Sequence, residues 1–231
     1  MPKVNISIEV NPSIFLKNPT ETSLGKKIIF HSISLFNRLG FEEFNFKKLA
    51  KEMDSTEASV YRYFENKYKL LSYLVAWYWD YMHYILLMDS RNVKLPIDKL
   101  DIMITSLINS LENSNVPDYI DQSGLHRLVV ENATKVYHHK KVDDLKNNGF
   151  YMNYKKLVQT LSKVISEVDG SYKYPMALAT TIMDMSLNNE YYLIHLPEVT
   201  DNKDCKEGDA RALTNDMIQY MVKKLLNVTE N

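Results

Sequence analysis

Apolar residues recur at three- and four-residue steps along most of this chain, and the breaks in that stepping mark out its helices. From Leu24, the positions Ile28, Ile29, Ile33, Leu35, Phe36 and Leu39 lie on one stripe of a helix that opens at Ser23. Gly40 follows at once, where a helix needs a residue that accepts a left-handed backbone to close its last carbonyls, so this helix is expected to end near Leu39. Phe41 and Phe44 are large anchors in the connection. Asn45 is a good N-cap for a helix of about two turns carrying Phe46, Leu49, Ala50 and Met53. Asp54 and Ser55 interrupt the pattern, and the Thr56 hydroxyl can accept from an orphan amide at the start of a third short helix, Glu57 to Phe64. Val60 and Phe64 point inward there, leaving Thr56, Ser59, Tyr61, Arg62 and Tyr63 for a partner. Helices this short are marginal alone, so the three are expected to pack as one tri-helical unit.

The stepping continues beyond. A fourth helix is expected over Lys67 to Ser90 through Leu70, Leu71, Leu74, Trp77, Tyr78, Tyr81 and Ile85, and Pro96 can open a fifth with Leu100, Met103, Ile104, Leu107, Ile108 and Leu111 on one face. Further helices are expected over Gln122 to Tyr137, Asp143 to Val168, Pro175 to Leu196 and Ala210 to Asn227, with a polar loop from Pro197 to Asp209. Residues 1–22 break the pattern with Pro2, Pro12 and Pro19. Their alternation of Val4, Ile6, Ile8 and Val10 suits a short strand, yet a single strand has no partner in a helical chain, so an arm is expected instead.

Residues Ala50 to Lys67 read A-K-E-M-D-S-T-E-A-S-V-Y-R-Y-F-E-N-K, preceded by Leu-Phe-x-x-x-Gly-Phe at Leu35 to Phe41. This resembles the tetracycline-repressor-type (TetR) transcriptional regulators, whose signature runs roughly A-K-E-A-G-V-S-K-G-T-L-Y-R-Y-F-K-S-K. The likeness covers about the first third of the chain. It implies an all-α fold, with an N-terminal three-helix helix-turn-helix DNA-binding domain (23–66, after an arm of 1–22) and a larger helical ligand-binding and dimerisation domain (67–231). It implies that Thr56, Glu57, Ala58 and Ser59 form the groove-facing start of the recognition helix, that Tyr61 and Tyr63 touch phosphate or base edges with Arg62 beside them, and that Lys67 meets a phosphate. Asn45 matches the polar residue that caps the second helix and reaches the DNA backbone. The last two helices would pair with their copies in a homodimer. Three positions depart from the pattern. Asp54 replaces the turn glycine, Ser55 replaces an apolar residue, and Glu57 stands where many relatives carry lysine. A carboxylate there suits the helix dipole but repels phosphate, and it can accept from cytosine N4 in the major groove.

Charge adds modestly to this picture. Ser23 to Ser72 holds nine basic residues against six acidic, whereas the whole chain carries −1, so the body is acidic relative to the reader. At 231 residues there is ample core for a small and a large helical domain. The richest apolar stretch, Leu70 to Met88, is broken by Asp80, His83 and several tyrosines, so no membrane span is expected. No basic segment followed by an apolar one opens the chain, and Cys205 is its one cysteine, so the cytoplasm is the expected compartment.

Candidate chemistry beyond DNA is thin. Sixteen tyrosines, eleven methionines and two tryptophans suit an adaptable apolar pocket in the body, for which Tyr81, Met103, Leu107, Tyr154 and Met183 are the candidates and a small apolar or aromatic molecule the effector. The same stripes serve equally as plain core. His138 and His139 are adjacent, so on a helix they diverge by about 100° and do not share one ion, while His83, His126 and His195 are scattered. No nucleophile elbow, phosphate loop, dinucleotide motif or H-E-x-x-H pair occurs, so no catalytic residue, metal site or cofactor is expected and the chain is not read as an enzyme. The competing reading is a helical interaction protein whose body binds a protein partner or a constitutive ligand, with DNA reading secondary or lost.

Overall fold

The computed structural model describes residues 8–109, 116–137 and 152–228. These form α1 (Ser23–Glu43), α2 (Phe46–Glu52), α3 (Glu57–Tyr61), α4 (Lys67–Asp89), α5 (Pro96–Asn109), α6 (Gln122–Tyr137), α7 (Met152–Val168), α8 (Pro175–His195) and α9 (Ala210–Leu225), with short 3₁₀ turns and no strand among the described residues. The described residues are helical throughout their regular elements, as the stepping predicts. Leu111, residues 143–151 of the expected seventh helix, and His138 and His139 lie outside the described residues.

Contacts divide the described chain into two compact units. One holds 8–81, 116–137 and 152–154, the other 82–109 and 155–228. This differs from a division at residues 66 and 67, and the reason is α6, which packs on α1. There the Asn37 amide donates to the Gly124 carbonyl at 2.8 Å, so α6 belongs with the first helices rather than with the later ones.

In the first unit α1 buries Ile28, Ile29, Ile33 and Phe36, and the Phe36 ring stacks on Phe44 with centroids 3.7 Å apart. Gly40 has φ 72° and ψ 169°, a region only glycine enters readily, so the regular helix stops at Leu39 and the chain turns. Asn45 and Thr56 both cap as expected. Asn45 accepts from the Lys48 amide at 2.9 Å, and Thr56 from the Ser59 amide at 3.3 Å. Asp54 takes the left-handed conformation expected of a glycine substitute, with φ 52°. The third helix is shorter than its spacing predicts. It ends at Tyr61 because the Tyr63 and Phe64 amides both turn back onto the Val60 carbonyl, at 2.9 and 3.2 Å, which tightens the backbone before Phe64 is reached.

The described part of the arm makes two 3₁₀ turns, Pro12–Ile14 and Pro19–Glu21, each capped by an asparagine. Val4 and Ile6 of the alternating stretch lie outside the described residues. Gly25 is where the arm meets α1, and a Cβ there would overlap the Pro19 backbone. Helix α4 is apolar on nearly every side, burying Leu70, Tyr73, Leu74, Trp77, Trp79, Tyr81 and Leu86. Such a helix draws its stability from being surrounded rather than from one stripe.

The second unit is built on α5, α8 and α9, which pack on one another. Leu100, Met103, Ile104, Ile182, Met183, Ile218 and Val222 are its core. Polar ties fix the register. The Thr105 hydroxyl donates to Asn215 at 3.0 Å, the Asn189 amide donates to Thr214 at 2.9 Å, and Lys223 pairs with Asp101 at 2.8 Å. No described helix is long and apolar enough to cross a membrane.

Candidate nucleic-acid interface

The outward surface of α3 is set by what the helix buries. Val60 and Phe64 are fully buried, so Thr56, Glu57, Ala58, Tyr61 and Arg62 are left exposed and Ser59 half-buried. The Thr56 and Ser59 hydroxyls are 2.9 Å apart and occupied with each other and with the cap. Tyr61 packs edge-on against Phe46, 4.9 Å between centroids, and remains 49% exposed. Among the described residues the Glu57 carboxylate and the Arg62 guanidinium form no ion pair.

Two expected contact residues are placed differently. Tyr63 is not available to a partner. It is 3% exposed, its hydroxyl lies 2.7 Å from the Thr22 hydroxyl and its carbonyl accepts from the Leu16 amide at 2.8 Å, because the arm covers it. Lys67 is half-buried and closes the end of α1. Its ammonium donates to the Phe41 and Glu42 carbonyls at 2.8 and 2.9 Å and lies 4.6 Å above the Phe41 ring. An ammonium has three donors, so one remains for an anion. Asn45 is exposed, with its side-chain oxygen taken by the cap.

Basic charge around the unit is partly tied down. Arg38 and Glu52 clamp α1 to α2 at 2.7 Å, the pair raising the guanidinium and holding the Glu52 carboxyl below its usual range. Lys48 pairs with Glu43 at 3.2 Å and caps the Glu43 carbonyl. Lys47 and Lys51 of α2 are exposed with no ion pair to a described residue. Sequence reasoning did not single them out, since a lysine on a helix is ordinarily a solvated one.

The pocket candidates fall in separate units, Tyr81 and Tyr154 in the first and Met103, Leu107 and Met183 in the second. Around the first pair stand residues that were not among the pocket candidates. Trp77 stacks on Tyr81 at 5.4 Å, Trp79 meets the Tyr154 ring at 5.1 Å, and the Tyr78 hydroxyl is 2.9 Å from His126 Nδ1. The Trp77 and Trp79 indole N–H groups are buried without a hydrogen-bond partner among the described residues. The other histidines have neighbours too, His83 at 3.0 Å from the Thr160 hydroxyl and His195 against Tyr191. No group of three His, Cys, Asp or Glu among the described residues could hold a metal ion.

Comparison with known proteins agrees with this geometry. Residues 28–74 match the family model described as bacterial regulatory proteins, tetR family. The biofilm operon icaADBC HTH-type negative transcriptional regulator IcaR of Staphylococcus aureus (strain Newman) is 27% identical over 97 residues, 42% of this chain and 52% of that protein. The chain thus spans about half the length of the curated relatives it matches. Among solved structures, a regulatory protein in the tetR family from Rhodococcus RHA1 superposes with a TM-score of 0.63 at 12% identity, covering 87% of this chain and 97% of the other. AibR, crystallised with isovaleryl coenzyme A and operator DNA, superposes with a TM-score of 0.57 at 17% identity, covering 86% and 96%. At such identities the structures speak for the fold, and the matched segment contains the whole of α2 and α3. Residues 28–74 thus match the tetR family model, and the helical fold around them is one shared with solved regulators of that family.

Proposed function

We propose that the chain is a ligand-responsive transcriptional regulator that binds a two-fold-symmetric operator as a homodimer, represses transcription from it, and is released by a small apolar or aromatic effector. The observation that carries this reading is the capped recognition helix, whose exposed face offers Glu57, Ala58, Tyr61 and Arg62 while Val60 and Phe64 anchor it. Asn45, Thr56, Ser59 and the remaining donor of Lys67 border that face, and Tyr63 supports it from beneath. Repression follows the negative regulator IcaR, and the pairing of operator and small molecule follows AibR.

Dimerisation falls to α8 and α9, where Tyr191, Tyr192, Tyr220, Met221 and Leu225 are 42–59% exposed, a large apolar patch for an isolated subunit. Tyr81 and Tyr154 in the first unit are the residues assigned to meet an effector, and Met103, Leu107 and Met183 are the separate candidates within the second. The regulator works from the cytoplasm, and release is a two-state equilibrium. For a near-complete switch the effector must prefer the released state by about 5 kcal/mol.

The test is selection of binders from a random duplex-DNA library with the full-length protein at low and moderate salt. Enrichment of a two-fold-symmetric site supports the reading. A folded, dimeric protein that enriches no sequence overturns it in favour of a protein-binding body.

A further inference from the structure

The arm of residues 8–22 is held at both ends. At one end Asn153, in the first turn of α7 and 7% exposed, donates through its side-chain nitrogen to the Glu9 carbonyl and to the Ala76 carbonyl of α4, each at 3.1 Å. Those two donors exhaust the amide NH₂, so one side chain joins α7, α4 and the arm. The Glu9 amide in turn donates to the Asp80 carboxylate at 2.9 Å.

From there the arm follows α4 towards its start. Ile14 is buried, the Phe15 ring meets Tyr73 edge-on at 5.9 Å, and the Ser13 carbonyl accepts from Lys69 at 2.8 Å. Between Asp80 and Lys69 this path covers about 16 Å of helix. At the far end the arm closes on Tyr63. The Leu16 amide donates to the Tyr63 carbonyl at 2.8 Å, the Lys17 ammonium lies 5.5 Å above the Tyr63 ring, and the Thr22 hydroxyl meets the Tyr63 hydroxyl at 2.7 Å. Tyr63 sits two residues past the end of α3, where helix carbonyls lack partners of their own, and the arm supplies one.

We infer that the arm is a strap that ties the start of α7 to the end of the recognition helix, with Asn153 as its positioning residue. The regulatory sense of the strap rests on the function proposed above, whereas its mechanical sense rests on the contacts alone. Tyr154, assigned to the effector site, is the next residue along α7 and lies against Trp79. An effector that displaces Tyr154 displaces Asn153, and the strap carries that displacement to Tyr63, beneath the reading face. A staple that merely adds stability would instead loosen only locally when cut.

The test uses the full-length protein without DNA. In Asn153→Ala, hydrogen exchange at the Leu16 amide is expected to speed up by about tenfold relative to the core amides of Leu70 and Leu74, as loss of an ordering contact opens the segment it holds. Faster exchange confined to Glu9 and Ala76, with Leu16 unchanged, overturns the strap. Tyr63→Phe removes one hydroxyl and keeps the core, and by reciprocity it is expected to speed exchange at the Glu9 amide. An unchanged Glu9 overturns the strap equally. With a selected operator duplex, Asn153→Ala is further expected to weaken binding several-fold at an unchanged salt slope, since no phosphate contact is lost. Failure of the wild-type protein to bind any duplex counts against the proposed function, and the exchange experiment still decides the strap.

Discussion

Glu57 and Gly40 act at the scale of single residues, one through a charge and the other through a dihedral angle. Glu57 is the one acidic side chain on the exposed face of α3, and the Thr56 and Ser59 hydroxyls beside it are already engaged with each other. If its carboxylate accepts from cytosine N4, Glu57→Gln changes the preference at one symmetric base pair of the selected site, by about 1–3 kcal/mol, and leaves other positions alone. Equal strengthening on all duplexes would show a carboxylate that only repels phosphate. Quantitative binding to the selected site and its single-pair variants separates the two. Gly40 sits at φ 72° and ψ 169° with no atom near the position of a Cβ, so strain rather than crowding governs substitution. Gly40→Ala is expected to lower the unfolding free energy by about 1–3 kcal/mol, read as a lower urea midpoint.

Among the elements, α4 concentrates the largest buried side chains, and Tyr73 shows what that does to a titratable group. Burial, and secondarily Tyr119, pushes the Tyr73 phenol well above its ordinary value of 10.0. The folded state thus holds a proton that the unfolded chain releases, so stability from this group is fully present below about pH 10 and declines as pH rises further. Melting temperatures from pH 8 to 11.5 are expected to fall less steeply above pH 10 in Tyr73→Phe than in wild type, and parallel curves would refute this. What could be read from the sequence follows the same division of scale. The caps at Asn45 and Thr56, the stop at Gly40, the turn at Asp54 and the start of α6 are local choices, and local chemistry is written in adjacent residues. The burial of Tyr63 depends on Thr22, 41 residues away, and that of Lys67 on carbonyls 26 and 25 residues away, so spacing had no means of showing either. The arm eluded a periodicity reading for the same reason, since its order comes from α4 and Asn153. The pocket candidates were chosen by residue type along helices, which does not say that they fall in two different units.

At the scale of the whole molecule, sequence-specific binding by one subunit would be weak, because a net excess of three basic residues in Ser23 to Ser72 neutralises few phosphates. Two linked readers convert the second contact into an intramolecular one, which raises affinity by about 10²- to 10⁴-fold without any new interaction. The proposed operator binding therefore depends on the surface that joins the subunits. On α9 the Tyr220 ring is 59% exposed with Met221 exposed next to it in sequence, while Ile218 and Val222 hold the opposite side of the helix in the core. A carboxylate at position 220 would be solvated in a monomer and desolvated in an interface, so Tyr220→Glu penalises association while leaving the subunit's own core untouched. Sedimentation is expected to show a monomer with native helix content. Binding to the symmetric site is expected to drop by about 10²-fold or more, with binding to an isolated half-site little changed. Leu95→Glu, equally exposed at 59% ahead of α5, serves as the control and is expected to change neither. A Tyr220→Glu protein that remains dimeric and keeps its operator affinity would remove this face of α9 from the interface and send the search to the exposed side of α8.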